Sequence, residues 1–455
     1  MSSILLKNAQ VIVSCDADDH IYHDCDLLIE GPKIAAIGEH LQAAGAQAID
    51  ARGCFVYPGL VNTHHHLQQA FTRNIPCIQN SELFDWLMCL YQVWSRMDPD
   101  YVYYSALVAM GEFIKYGGTT LFDQHFAFPK TTVKELIDRQ FAAAAQLGLR
   151  FHAGRSCFTR GQSQGGLPPD VMIESCGEVL EDCERLVKKY HDPAEFSLRQ
   201  VVIAPCSPFS VDTEIMVESA KLARQLKVRL HTHLCETLDE ERYCLETYGA
   251  RPLAWAERCG FTGPDVWYAH GIHFTDEEVA FLAKTQTGVS HNAVSNMKLA
   301  SGVCKVPLML KLGVPVGLAV DGSGSNDASN LLADLRVTFL LHRLISSQEA
   351  PSAYQVLKLG TVGGAQLLGR PDIGSLAVGK AADLFLINVD KLEMVGALLD
   401  PASLLCTVGW GKTVDTTIIN GQVVYDGQRL LGIDEAEIKR EARRKVESIY
   451  ADLPV

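Results

Sequence analysis

The sequence has no Cys-x-x-Cys pair, although 14 of its 455 residues are cysteine. The cysteines stand singly in apolar or helical stretches, as at Cys54, Cys89, Cys183 and Cys259. That scatter argues against a disulfide framework and fits reduced thiols in a cytoplasmic protein. Residues 1–13 lack a basic segment followed by a long apolar one, so they do not read as a secretory leader. No apolar run reaches the roughly 18 residues of a membrane span. Positive charge is in deficit, 40 Lys and Arg against 54 Asp and Glu, a formal charge of −14. Such a balance argues against a nucleic-acid partner, which needs a clustered positive surface. A small neutral ligand suits it better. No Gly-x-Gly-x-x-Gly follows an early strand, which disfavours a doubly wound dinucleotide-binding sheet. No low-complexity linker interrupts the chain.

What is present is a chain too long for one ordinary core, 47% hydrophobic and 21% charged, hence globular with two or three domains. Short strands with turn residues between them fill residues 1–58. Residues 4–13 read as a strand pair turning at Lys7-Asn8, residues 26–37 as two strands around Glu30-Gly31, and residues 48–56 as one more. From residue 60 to about 368, apolar strands alternate with helical stretches. The strands are predicted at 60–64, 119–123, 149–153, 200–204, 228–234, 266–270, 288–291 and 314–321. Helices are predicted at 101–115, 133–147, 212–226 and 275–284, among others. About eight such alternations over ~300 residues signal a (β/α)8 barrel with insertions. Strands return at 379–388 and at 413–425, the latter around Asn420-Gly421, a strong hairpin signal. The segments IEGPKIAAIG and INGQVVYDG are built alike. Residues 1–58 and 369–455 are therefore expected to form one β-sandwich-like domain interrupted by the barrel at 59–368. Residues 434–453 close the chain as a charged helix.

The chemistry-bearing stretch is PGLVNTHHH, residues 58–66. On an extended strand His64 and His66 share one face and His65 points the other way. Two imidazoles on one face can bind a single zinc. In a barrel the chemistry sits at the C-terminal strand ends, so the other ligands are sought there. Residues 228–236 (VRLHTHLCE) supply His233 nearest the strand end, with His231 read as a buried supporting histidine. Glu236 follows just beyond, placed for general acid/base work. His270 ends the strand VWYAH as a further ligand, electrophile or base. Asp321 ends the apolar strand VGLAVD, where an unpaired carboxylate would be costly to bury. The set His64, His66, His233 and Asp321 gives one divalent ion three imidazoles and a carboxylate, with an open position as in catalytic zinc sites. Glu236 and Asp321 can move protons, and His270 can hydrogen-bond the reacting groups. A second metal would call for a bridging ligand such as a lysine on the fourth barrel strand. Residues 201–206 (VVIAPC) offer none, so one metal is expected.

The ordered motifs PGLVNTHHH, HTHLCE, YAHG, SHNAVSN and VDGSGSND resemble the amidohydrolase superfamily, and within it the nucleobase and triazine deaminase/chlorohydrolase branch. The likeness spans nearly the whole chain. It implies a distorted (β/α)8 barrel, one zinc or alternatively iron, and hydrolytic release of ammonia from an aromatic ring. It implies His64, His66, His233 and Asp321 as ligands, Glu236 as the acid/base for the ring nitrogen, and His270 as support for the attacking water. It also implies a homo-oligomer. Within the branch, HHHLQQ, DWLMCLYQVW and GRSCFTRGQSQGGLPPD look like the 8-oxoguanine-deaminating members, which convert that base to urate and ammonia. By that likeness Gln69 hydrogen-bonds the purine ring. Arg155 and His125, at or just past strand ends, are further candidate substrate contacts, and Trp86 and Trp94 candidate pocket walls. Relatives that deaminate adenosine-type substrates often carry a histidine where this chain has Cys206-Ser207-Pro208, which favours a free base over a nucleoside. Guanine, isocytosine and s-triazines are the alternative substrates. The unrelated His-x-Glu and Pro-Cys-x-x-Cys deaminase motif is absent.

Overall fold

The computed structural model describes residues 3–130, 135–451 and 453. In chain order, β1 (Ser3–Val13), β2 (Ile21–Glu30), β3 (Lys33–Gly38), β4 (Gln47–Asp50) and β5 (Cys54–Pro58) come first. The barrel strands follow as β6 (Leu60–Asn62), β7 (Gly118–His125), β8 (Arg150–Arg155), β9 (Arg199–Ile203), β10 (Leu230–Leu234), β11 (Val266–His270), β12 (Gly288–His291) and β13 (Val316–Leu318). Then come β14 (Leu384–Asn388), β15 (Thr416–Ile419) and β16 (Gln422–Tyr425). Two eight-stranded sheets result. One runs β16-β15-β14-β5-β1-β2-β3, with β4 on β1, so both chain ends build it. The other runs β6 to β13 in order and is parallel throughout.

The terminal sheet shows why alternation matters. On β1 and β5, Val11, Val13, Phe55 and Tyr57 join the main core, while Ile12 and Val56 turn to a second cluster with Leu27, Ile29, Leu384 and Leu386. Successive side chains point to opposite faces, so one face packs on the barrel and the other closes a core of its own. Residues 4–13 are not a hairpin. They form one strand whose register to β2 shifts between Leu6 and Ala9, with Asn8 at φ 61°. The turn residues make a bulge because both flanks pair with the same partner. Residues 48–56 divide into β4 and β5, which bind different stretches of β1. The Asn420-Gly421 turn has φ of 52° and 74°, as a two-residue hairpin demands. The helix predicted at 133–147 is Leu136–Leu147; its expected start, Val133, lies outside the described residues. The charged terminal helix is Glu435–Tyr450, capped by Asp434. Among the described residues no helix is long and apolar enough to cross a membrane.

A buried ion pair staples the two bodies. Arg150 at the start of β8 donates from Nε and Nη2 to the Asp383 carboxylate (3.0 and 3.1 Å) and from Nη1 to the Phe196 carbonyl (2.8 Å). Asp383 also accepts from the Asn420 amide (2.7 Å), at the β15–β16 turn, and its carbonyl accepts from Gly59 N (2.9 Å). Removing one partner of such a pair leaves the other charge buried alone. Asp383→Ala is therefore expected to destabilise the fold by about 3–5 kcal/mol, read as a lower denaturant midpoint. Gly59 makes the crossing from β5 to β6 possible, since a Cβ there would meet Thr119 Oγ1 at 2.1 Å.

Candidate active site

The barrel seam brings the first and last strand ends together. Thr63 N donates to the Leu318 carbonyl (3.2 Å), Val320 N to Asn62 Oδ1 (3.0 Å) and Asp321 N to the His64 carbonyl (3.2 Å). His64 and Asp321, 257 positions apart by number, thus share one backbone hydrogen bond. His233 arrives from β10, in the middle of the barrel wall.

At this convergence His64 Nε2 and His66 Nε2 lie 3.4 and 3.3 Å from Asp321 Oδ1, and His66 Nε2 lies 3.1 Å from His233 Nε2. His64, His233 and His270 form a second overlapping group of close ligand atoms. The protons sit elsewhere. His66 Nδ1 donates to the Gln124 carbonyl (2.8 Å) and His233 Nδ1 to the Cys206 carbonyl (2.7 Å). Burial lowers the pKa of His64, His66 and His233, so each ring is neutral. Two neutral rings that spend their Nδ1 protons on carbonyls face each other with bare Nε2 lone pairs. His64 Nε2, also buried, has no hydrogen-bond partner. Bare imidazole nitrogens and a carboxylate oxygen aimed at one point repel unless a cation lies among them, and this donor set suits one divalent metal. Asp321 is oriented for such an ion by its neighbours. Its Oδ2 accepts from Ser295 Oγ (2.6 Å) and Ser325 Oγ (3.1 Å), and its Oδ1 from Gly322 N (2.7 Å).

Glu236 stands just past β10, with His270 Nε2 3.5 Å from its Oε2. Burial first, then the Asp321 and Glu240 charges, push the Glu236 pKa well above the usual carboxyl range. Glu240 fixes the backbone there, accepting from Cys235 N (2.7 Å) and Glu236 N (3.0 Å). His270 Nδ1 lies 2.9 Å from Asn296 Oδ1 and 3.2 Å from Asn292 Nδ2. Cys235, His270 and Asp321 all have positive φ, at 55°, 71° and 64°. Left-handed backbone at three non-glycine positions at or just past strand ends stores strain, and His270 and Asp321 there face the cavity while Cys235 joins the core.

These groups floor a cavity of about 440 Å³, counting its open mouth. Its walls are Leu83, Trp86, Leu87, Tyr91, Phe126 and Phe158, with Phe209 and Leu299 beyond. Gln69 lines it, its Oε1 accepting from Gly324 N (3.1 Å). A Cβ on Gly322 would fall 1.9 Å from that oxygen, so a side chain there would displace the Gln69 amide. Asp123 fixes the segment before Gln69 by accepting from Leu67 N (2.6 Å).

Two candidate substrate contacts do not line the cavity. Arg155 has the parity of Phe151, which meets Phe141 of the outer helix edge to face, so its guanidinium points outward to Glu174 and Asp182 (both 2.6 Å). His125 has the parity of Asp123, and both meet Gln140 on that helix (3.5 and 2.8 Å). Trp94 lies behind Trp86, ring centroids 5.6 Å apart, and does not reach the cavity. Sequence reasoning missed Ser295, Asn296 and Ser325, which sit inside SHNAVSN and VDGSGSND, and the aromatic walls Tyr91, Phe126, Phe158 and Phe209.

Known proteins share this arrangement. The Amidohydrolase family model matches residues 55–424. Hydroxydechloroatrazine ethylaminohydrolase of Pseudomonas sp. (strain ADP) is 42% identical over 97% of this chain and 95% of its own length. The 8-oxoguanine deaminase of Pseudomonas aeruginosa is 40% identical over 93% of this chain and 95% of its own. Among solved structures, atrazine chlorohydrolase TrzN from Arthrobacter aurescens TC1 complexed with zinc superposes with a TM-score of 0.93 at 32% identity, covering 97% of this chain and all of that one. The nearly closed parallel barrel, the split terminal sheet and the matched sequence agree: the chain belongs to the amidohydrolase family.

Proposed function

We propose that the chain is a single-zinc aminohydrolase of a free aminated heterocyclic base, with 8-oxoguanine the leading substrate and urate and ammonia the products. The observation that carries the reading is a pair of overlapping groups of close ligand atoms, His64 with His66 and Asp321 and His64 with His233 and His270, beside Glu236 on the floor of an aromatic cavity. His64, His66, His233 and Asp321 hold the ion. Zinc there supplies a water acidic enough to attack near neutral pH, its pKa falling toward ~7. Glu236 takes a proton from the attacking water and delivers it to the ring nitrogen beside the reacting carbon. His270, held by Asn296, steadies the incoming oxygen. The new carbon–oxygen bond forms, the proton left on the added oxygen passes by way of Asp321 to the exocyclic amine, the carbon–nitrogen bond breaks, and ammonia leaves with the oxygen kept as the ring carbonyl.

Gln69 supports an oxo-substituted ring. Its carbonyl is engaged by Gly324 N, so its amide hydrogens remain to donate to a substrate acceptor. Replacing Gln69 by Leu is expected to raise KM for 8-oxoguanine about tenfold or more, as for loss of a hydrogen bond worth roughly 1–2 kcal/mol, with a smaller change in kcat. Hydrolysis of an aminated s-triazine is a second reading, favoured by the 42% identity to the ethylaminohydrolase. The test is ammonia release by zinc-loaded enzyme from 8-oxoguanine, guanine, isocytosine and an aminated triazine. The highest kcat/KM is expected on 8-oxoguanine; a higher value on the triazine would transfer the assignment, and no turnover of any would reject it.

The pH dependence has a defined sign. Glu236 must be ionised to accept the proton, and its pKa is raised. So kcat/KM is expected to fall as pH drops through that value, giving an acid limb.

A further inference from the structure

Of the three histidines assigned to the ion, His64 alone pairs its Nδ1 with another side chain in place of a backbone carbonyl. The others use the Gln124 and Cys206 carbonyls, which no substitution removes. His64 Nδ1 lies 2.9 Å from His231 Nε2, and His231 Nδ1 lies 2.9 Å from the Trp267 carbonyl. A carbonyl only accepts, so His231 carries its proton on Nδ1. The ring is fully buried between Phe122 and Trp267, with centroids 4.8 and 4.6 Å away. With the ion on its Nε2, as proposed above, His64 carries its proton on Nδ1, and His231 Nε2 is the atom placed to accept it.

We propose that His231 is a positioning residue: by accepting from His64 Nδ1–H it fixes the tautomer and ring plane of His64 and so sets the affinity of the metal centre. The inference rests on the zinc reading above. It gives the first histidine of HTHLCE a role distinct from that of the second. His233 faces the ion, and His231, two residues earlier on the same strand face, sits one layer deeper and steers a ligand from β6. Loss of a hydrogen-bond partner to a metal-bound histidine commonly costs 10–100-fold in affinity.

The test is zinc affinity by chelator competition, with no substrate present. His231→Leu is expected to weaken zinc binding 10–100-fold. His231→Gln can accept from His64 through its side-chain oxygen and is expected to stay within about threefold of wild type. Equal affinities for Leu, Gln and wild type would overturn the proposal, as would equal losses in both variants. Should His231→Leu not fold, ¹⁵N-histidine spectra of the unsubstituted zinc-loaded protein decide. A protonated Nδ1 and bare Nε2 on His231 are expected, and the opposite tautomer overturns the assignment. Wild-type protein that binds no zinc would overturn both this inference and the function it rests on, whereas tight wild-type binding unaffected by His231→Leu removes only this one.

Discussion

Glu236→Gln is expected to lower kcat/KM by about 10²–10⁴-fold, the usual worth of a general acid/base, while the protein still binds one zinc. The substitution keeps shape and removes only the capacity to take and return a proton. The metal centre should survive because Glu236 is not one of its four assigned ligands. The backbone should survive too, because Glu240 holds the Cys235 and Glu236 amides without help from the Glu236 side chain. Stability provides an internal control whose sign is fixed by linkage. A carboxyl whose folded pKa is raised is ionised in the unfolded chain at pH 7 but resists ionisation in the fold, so it opposes folding above its unfolded pKa. Glutamine carries no such penalty. The Tm of Glu236→Gln at pH 7 should therefore equal or exceed that of wild type, and the acid limb of kcat/KM should vanish from whatever activity remains. A variant with full turnover would remove Glu236 from the mechanism.

The barrel was legible because its signals are local and repeated. Apolar strand, turn and helix recur along the chain, and the strand ends were placed to within a few residues, with β11 and β12 matching in full. The nearness of His64 and His66 to Asp321, and of His64 to His233 and His270, follows from the same logic, since parallel barrel strands carry their C-terminal ends to one rim. What failed depended on facing. Arg155 and His125 stand at strand ends, but their parity turns them to the outer helix, and position at a strand end alone does not report parity. Lys7-Asn8 looked like a turn because Asn tolerates positive φ, yet a bulge uses the same residue. The aromatic cavity walls come from the helix Leu83–Trp94 and from loops after β7, β8 and β9, and no periodicity says which aromatic residues of a loop bend inward.

Stripping the metal is expected to abolish turnover and to lower Tm by several degrees, both restored by one equivalent of zinc. The reason lies in what the site contains without a cation. His66 Nε2 and His233 Nε2 are 3.1 Å apart with their protons committed to carbonyls on the far side of each ring. Asp321 Oδ1 adds a buried negative charge 3.3 Å from His66. Like-signed lone pairs and a desolvated carboxylate are costly in such surroundings, and zinc converts that cost into binding energy. By mass action, zinc at a thousandfold its Kd stabilises the fold by about 4 kcal/mol. The effect of pH on affinity follows from burial, which lowers the pKa of all three imidazoles below that of free histidine. Each remains a neutral ligand below pH 6.5, so protons compete with zinc only in more acid solution. Zinc affinity measured by chelator competition should thus fall less between pH 7.5 and about 6 than that of a site built from exposed histidines. An equally steep loss of affinity would mean that these rings take up protons readily, and that the hydrogen bonds holding their Nδ1 atoms do not govern the site.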